Sequence, residues 1–160
     1  MEYSTPDSLR AEHAELHAEL RAAAKAGGRI GEAAKEVARR LHPHFENEEA
    51  FALPPLALLG ALAKGAAEPA MADVLILTDK LEAKLPGMLA EHEQIVAALG
   101  ELETAAKAEK KRQYVRFAEK LIQHARTEEE VLYPAALLIG RYVRLSLGIG
   151  KAADNPNPQE

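Results

Sequence analysis

The 160-residue chain contains no cysteine and no tryptophan. Without thiols there are no disulfides, no iron–sulfur clusters and no cysteine nucleophile, and the redox compartment is left open. Aromatic residues make up only 4%, and Val, Ile and Thr are too sparse to furnish many strands. Long apolar runs are missing too. The longest, 51–63, is broken by Pro54 and Pro55, and a membrane-crossing helix needs roughly 18 apolar residues in a row. The N-terminal MEYSTPDSLR lacks the apolar region of a secretory signal. A cytoplasmic protein with no membrane partner is the expectation. A basic stripe is also absent. Net charge is −5, and Lys110-Lys111-Arg112, the one short basic run, reads as a solvated helix start or loop. Nucleic acid is therefore not an expected partner.

What remains is a helix-forming alphabet. Hydrophobic residues reach 48%, chiefly Ala and Leu, and these stand with Glu, Lys and Arg at the top of the helix-propensity ranking. The length suits one domain with a substantial core. The expected fold class is all-α, an antiparallel up-down four-helix bundle.

The bundle is written as a duplication. His44-Phe45-Glu46-Asn47-Glu48 and His124-Ala125-Arg126-Thr127-Glu128 both read His-x-x-x-Glu and stand 80 residues apart. His13, in Ala11-Glu12-His13, lies 31 residues before His44, and His92, in Ala90-Glu91-His92, lies 32 before His124. At the 80-residue offset Leu41 also matches Leu121, Glu49 matches Glu129, Pro54 matches Pro134, Leu58 matches Leu138 and Gly60 matches Gly140. Two helical hairpins related by a pseudo-two-fold axis follow.

Local signals place the elements. Thr5 as N-cap and Pro6 in the first turn open a helix that stops at Gly27-Gly28. A second helix runs over about 31–52 with Pro43 inside it, where a kink is expected. Short apolar segments follow Pro54 (55–63) and Pro134 (135–147). An extra element over 70–85 ends at Pro86, a third helix spans about 86–108, and a fourth spans about 110–133. The domain is expected over 1–147, with a disordered tail over 148–160.

Residues four apart lie one turn apart on the same helix face, so each His-x-x-x-Glu points an imidazole and a carboxylate inward together. His13, His44, Glu48, His92, His124 and Glu128 all fall on apolar stripes, in two matching sets. Burying them unpaired costs about 2–7 kcal/mol for each group. Two metal ions resolve that cost, with histidine nitrogens on each and carboxylates able to bridge. Nitrogen and oxygen donors without sulfur suit iron, manganese or zinc. His42, two residues before His44, is about 200° round the helix and should face outward. Glu46, Glu49, Glu129 and Glu130 read as solvated, with the recurring Glu49 and Glu129 as candidates to orient a neighbour. Leu16, Leu20, Phe51, Phe117 and Leu121 are expected as apolar walls.

This pattern resembles the hemerythrin-like proteins, or HHE cation-binding domains, over about residues 8–140. Their ligand order is His, His-x-x-x-Glu, His, His-x-x-x-Glu, matched here by His13, His44 and Glu48, His92, and His124 and Glu128. The resemblance implies a non-haem di-iron centre, two Fe ions with oxo or hydroxo and carboxylate bridges, in a four-helix bundle. It implies binding of O2, NO or peroxide for sensing, storage or scavenging. The same ligands also serve a di-iron oxidase, peroxidase or NO-reducing enzyme, or an iron-handling protein for di-iron centre repair, so catalysis is left open. There are departures from the oxygen carriers. Their fifth histidine on the third helix is replaced by Val96, while His17 stands one turn after His13 as a candidate fifth imidazole on the other half. Their second carboxylate is an aspartate one residue further along, where this chain has Glu128. Zinc or manganese remain alternatives to iron. The apolar segments after Pro54 and Pro134 leave room for a homo-oligomer, and a sensor role requires a separate redox or signalling partner.

Overall fold

The computed structural model describes residues 2–151. It is a helical bundle with no strand among the described residues. The first hairpin pairs α1 (Asp7–Ala24) with α2 (Gly28–Asn47), and the second pairs α4 (Val74–Ala108) with α5 (Arg112–Thr127). Between the hairpins lie a 3-10 turn (Pro54–Leu58), a short α3 (Leu59–Leu62) and a second 3-10 turn (Pro69–Asp73), and α6 (Tyr133–Ser146) follows α5. Of these helices, α4 packs against α2, α5 and α6, while α1 packs against α2 and α5. No helix among the described residues is long and apolar enough to cross a membrane.

Both hairpin turns use left-handed backbone, but with different residues. Gly27 and Gly28 take φ of 73° and 56° in the first turn, where the missing Cβ removes the steric penalty. In the second turn Lys110 adopts φ of 58°, and the Lys111 amide reaches back to the Ala106 carbonyl at 2.9 Å. That closure ends α4 and delays α5 to Arg112, two residues later than the sequence suggests.

Two expectations at helix ends and breaks are corrected. Thr5 does not cap α1: Pro6 is the N-cap, and the Thr5 hydroxyl is buried without a hydrogen-bond partner among the described residues. Pro86 does not end an element either. The expected segments over 70–85 and 86–108 form one 35-residue helix, α4. Pro86 is exposed, so the carbonyl that loses its amide donor can turn to water. The buried stripe of Leu81, Met88, His92 and Ile95 runs straight past it.

The two His-x-x-x-Glu helices end alike. α2 passes into a π-turn at Glu48–Ala52 and α5 into one at Glu128–Leu132. The Leu53 amide bonds the Glu48 carbonyl at 2.9 Å, and the Tyr133 amide bonds the Glu128 carbonyl. Each π-turn is followed by a proline, Pro54 or Pro134, whose ring would crowd the carbonyl four residues back in a regular α-helix. The wider turn relieves that crowding, and such turns recur at functional sites. Here each begins on a glutamate expected to face the bundle interior.

Two apolar clusters form the core. One holds Leu16, Leu20, Leu41, Phe45, Leu99, Phe117 and Leu121. The other holds Phe51, Leu53, Leu81, Met88, Tyr133 and Ile139 around the π-turns and α6. The expected walls Leu16, Leu20, Phe51, Phe117 and Leu121 are all buried. Where α2 passes into its π-turn, the polar pair His44 and Glu48 falls between the two clusters. α6 is locked onto α4 where Gly140 meets Thr78; a Cβ at Gly140 would lie 2.3 Å from the Thr78 hydroxyl oxygen. At its far end, Arg144 binds Asp79 at 2.6 and 2.7 Å and the Gly150 carbonyl at 2.9 Å. The part of the expected tail from residue 152 onward lies outside the described residues.

Candidate metal centre

His13 from α1, His44 from α2, His92 from α4 and His124 from α5 turn inward at one level of the bundle, with Glu48 and Glu128 from the first residue of each π-turn. All six are buried, Glu48 completely. Their ligand-type atoms fall into two overlapping groups, His44, Glu48, His92 and Glu128, and His13, His124 and Glu128, each within 4.8 Å of one another.

Each carboxylate faces both groups. One oxygen of Glu48 lies 3.2 Å from His44 Nε2 and 4.0 Å from His92 Nε2, and its other oxygen is 3.6 Å from His13 Nε2. One oxygen of Glu128 lies 2.7 Å from His124 Nε2 and 3.4 Å from His13 Nε2, and the other is 3.3 Å from His92 Nε2. Within one group the Nε2 atoms of His44 and His92 approach to 2.7 Å.

The outward nitrogen of every one of these histidines is also engaged. Nδ1 of His124 pairs with Glu12 at 3.0 Å, Nδ1 of His13 with Glu49 at 3.2 Å, Nδ1 of His44 with Glu91 at 2.6 Å and Nδ1 of His92 with Glu129 at 2.8 Å. An imidazole N–H held by a carboxylate leaves the opposite nitrogen, Nε2, free for the centre.

The electrostatics follow from this packing. Burial disfavours a charged His44, yet its bonds to Glu48 and Glu91 raise it to about 9. His124 rises to about 9 against burial through Glu128 and Glu12. Glu48 is pushed up by burial and by the charge of Glu128. Burial acts upward on Glu128 too, but the imidazoles of His124, His13 and His92 beside it hold it well below the usual carboxylate range. Two buried carboxylates this close repel, and cations between them relieve the repulsion.

Two buried atoms bear directly on what fits here. Glu48 Oε2 and His124 Nε2 have no hydrogen-bond partner of acceptable geometry among the described residues. Both belong to side chains that point into the cluster. A ring nitrogen and a carboxylate oxygen, both buried and both left so within one cluster, fit a metal ion. A cluster satisfied by hydrogen bonds alone would not leave them so.

Not every candidate joins the cluster. His17 stands outside both groups: its ring sits edge-on to Phe45 at 4.9 Å and against His42 at 5.9 Å. Phe45 in turn stacks on His13 at 3.9 Å. Val96, where the oxygen carriers have histidine, is exposed. His42 faces outward, 3.2 Å from the exposed Glu46.

Three residues went unread in the sequence. Tyr133, at the end of the expected fourth helix, is buried and donates its hydroxyl to Glu48, with His92 Nε2 at 3.2 Å and His44 Nε2 at 3.4 Å. Burial and the charges of Glu48 and Glu128 push its phenol upward, so it keeps its proton. Nothing in the repeat marks it, because its counterpart is Leu53. Glu12 and Glu91 do carry a signal, recurring in the matched Ala-Glu-His triplets.

No curated protein and no solved structure matches the chain. A family model does: the hemerythrin HHE cation binding domain covers residues 4–136. That span contains every member of the buried histidine and glutamate cluster. The chain therefore belongs to the hemerythrin family of HHE cation-binding domains, a membership that implies it binds cations.

Proposed function

We propose that the chain is a non-haem di-iron protein that binds dioxygen, or a related small molecule such as nitric oxide or peroxide, for sensing, storage or scavenging. His44 and His92 would hold one ion and His13 and His124 the other, with Glu48 and Glu128 offering carboxylate oxygens to both. The observation that carries this reading is the double facing of each carboxylate, with one oxygen toward each histidine pair. Nitrogen and oxygen donors together suit iron, with manganese or zinc as competitors.

Iron, when bound, supplies electrons and open coordination positions to the small ligand. The chain supplies the rest. The four imidazoles are aimed by their carboxylate partners. Leu16, Leu41, Leu121 and Phe45 wall one side and limit water. Tyr133 holds a proton at its phenolic oxygen beside Glu48 and the His44 and His92 pair.

That phenol also favours a second reading, a di-iron oxidase, peroxidase or NO-reducing enzyme, because a proton donor at the centre suits turnover. Iron handling for di-iron centre repair is a third reading and predicts iron that transfers to an acceptor. Metal analysis of anaerobically purified protein, with optical spectra before and after oxygen and nitric oxide, tests the proposal. Two iron ions per chain and a lasting, reversible spectral change support binding. Rapid loss of that change with consumption of added peroxide supports the enzyme. Zinc alone, with no response to oxygen, overturns both.

A further inference from the structure

We propose that Glu12, Glu49, Glu91 and Glu129 form a closed relay of positioning residues, in which each helix of the bundle sets the imidazole of a neighbour and none sets its own. This inference rests on the metal-binding reading above. The order is cyclic. Glu12 on α1 holds His124 on α5; Glu129, beyond α5, holds His92 on α4; Glu91 on α4 holds His44 on α2; Glu49, beyond α2, holds His13 on α1.

The sequence arranges this with two repeated placements. Glu12 and Glu91 each stand one residue before a histidine, and Glu49 and Glu129 each stand one residue after a buried glutamate. One residue of helix is about 100° of rotation. A glutamate next to an inward-facing ligand therefore points sideways, to the adjoining helix. The pseudo-two-fold axis copies both placements, and the loop closes on itself.

Three physical consequences follow. All four histidines are held with the proton on Nδ1, so all four present Nε2 to the centre. The four carboxylates are part-exposed, 40–46% at the side chain, while their histidines are buried. They therefore bring negative charge up to the imidazoles while their own outer faces stay hydrated. A carboxylate behind an imidazole raises its basicity and strengthens its bond to a metal, and losing such a partner costs roughly 10–100-fold in affinity. Glu91 also lines a cleft of about 490 Å³ with Asn47, Phe51, Lys80, Lys84 and Met88, so its far side is open to solvent.

The test uses the full chain with Glu12→Ala, Glu12→Gln, Glu91→Ala and Glu91→Gln. Nitrogen-15 correlation spectra of the metal-free protein report the protonation and hydrogen bonding of each imidazole nitrogen, and Fe²⁺ titration reports affinity. In Glu12→Ala the signals of His124 should move while those of its sequence neighbour His13 hold, and in Glu91→Ala those of His44 should move while those of His92 hold. Fe²⁺ affinity should fall roughly 10–100-fold in the alanine variants. The glutamine variants retain an oxygen acceptor and should keep the Nδ1 proton in place with a smaller loss of affinity. Wild-type Fe²⁺ affinity in both alanine variants, or movement of the sequence neighbour instead, overturns the relay and leaves the metal reading standing. A wild-type chain that takes up no Fe²⁺, or any other transition metal, overturns both.

Discussion

Tyr133 donates its hydroxyl hydrogen to Glu48, a bond between the residue that follows the second π-turn and the glutamate that begins the first. Leu53, in the equivalent place after the first π-turn, is buried and its side chain has no polar hydrogen to donate. The duplication is therefore broken at its centre: the His44 and His92 pair meets a phenol, and the His13 and His124 pair is flanked by Phe45, whose own counterpart is Ala125.

Removing that hydroxyl should be measurable without any assay of activity. Tyr133→Phe leaves a buried carboxylate oxygen short of a donor and is expected to cost about 1–3 kcal/mol in the metal-free protein. Urea unfolding of the metal-free chain checks it. A midpoint equal to wild type would mean that Glu48 finds another donor.

The metal-free protein should lose stability in mildly alkaline solution. His44 and His124 are raised to about 9 from an ordinary 6.5. A group with a raised folded-state value contributes its stabilisation fully below the unfolded value, and loses it as pH climbs through the folded one. The unfolding midpoint should thus fall between pH 6.5 and about 9. In the metal-loaded protein the cation replaces the proton at Nε2, and this fall should largely vanish. A midpoint that is flat or rising over the window in the metal-free chain would contradict the assignment of charged imidazoles.

Gly140→Ala should destabilise the packing of α6 on α4. The added Cβ meets buried Thr78 at 2.3 Å, and a β-branched neighbour has little room to yield. Overpacking of this kind costs about 1–3 kcal/mol. Gly60, its partner in the repeat, has nothing within 4 Å of such a Cβ. Gly60→Ala is the matched control and should not show this penalty in thermal melts of the two variants.

His17→Ala should keep its full metal content, because the ring packs on Phe45 and His42, outside the cluster. His13→Ala should lose metal and, with it, the stability that binding adds. Metal analysis by mass spectrometry settles the pair. Loss of one ion from His17→Ala would restore that residue as a fifth imidazole.

Much of the candidate site was legible because its residues repeat. His13, His44, Glu48, His92, His124 and Glu128 announce themselves by spacing and by lying on apolar stripes, and the structure brings all six together. The all-α bundle was equally plain from composition and the doubled hairpin. What was hidden depended on contacts that spacing does not encode. Pro86 reads as a stop, and only its exposed position on α4 explains why the helix continues. Thr5 has the right chemistry for a cap, but its hydroxyl is turned inward. Tyr133 looks like the last residue of an amphipathic helix until the π-turn re-aims it.

Each five-residue π-turn behaves as a one-residue insertion that sets the phase of everything after it. Wind the same residues Glu128–Leu132 as an ordinary helix, and Tyr133 would swing by about 100° around the axis. The phenol would leave the centre, and Gly140 would no longer meet Thr78. The helix after the second glutamate thus carries two contacts, one chemical and one steric, that depend on the same irregular hydrogen bond.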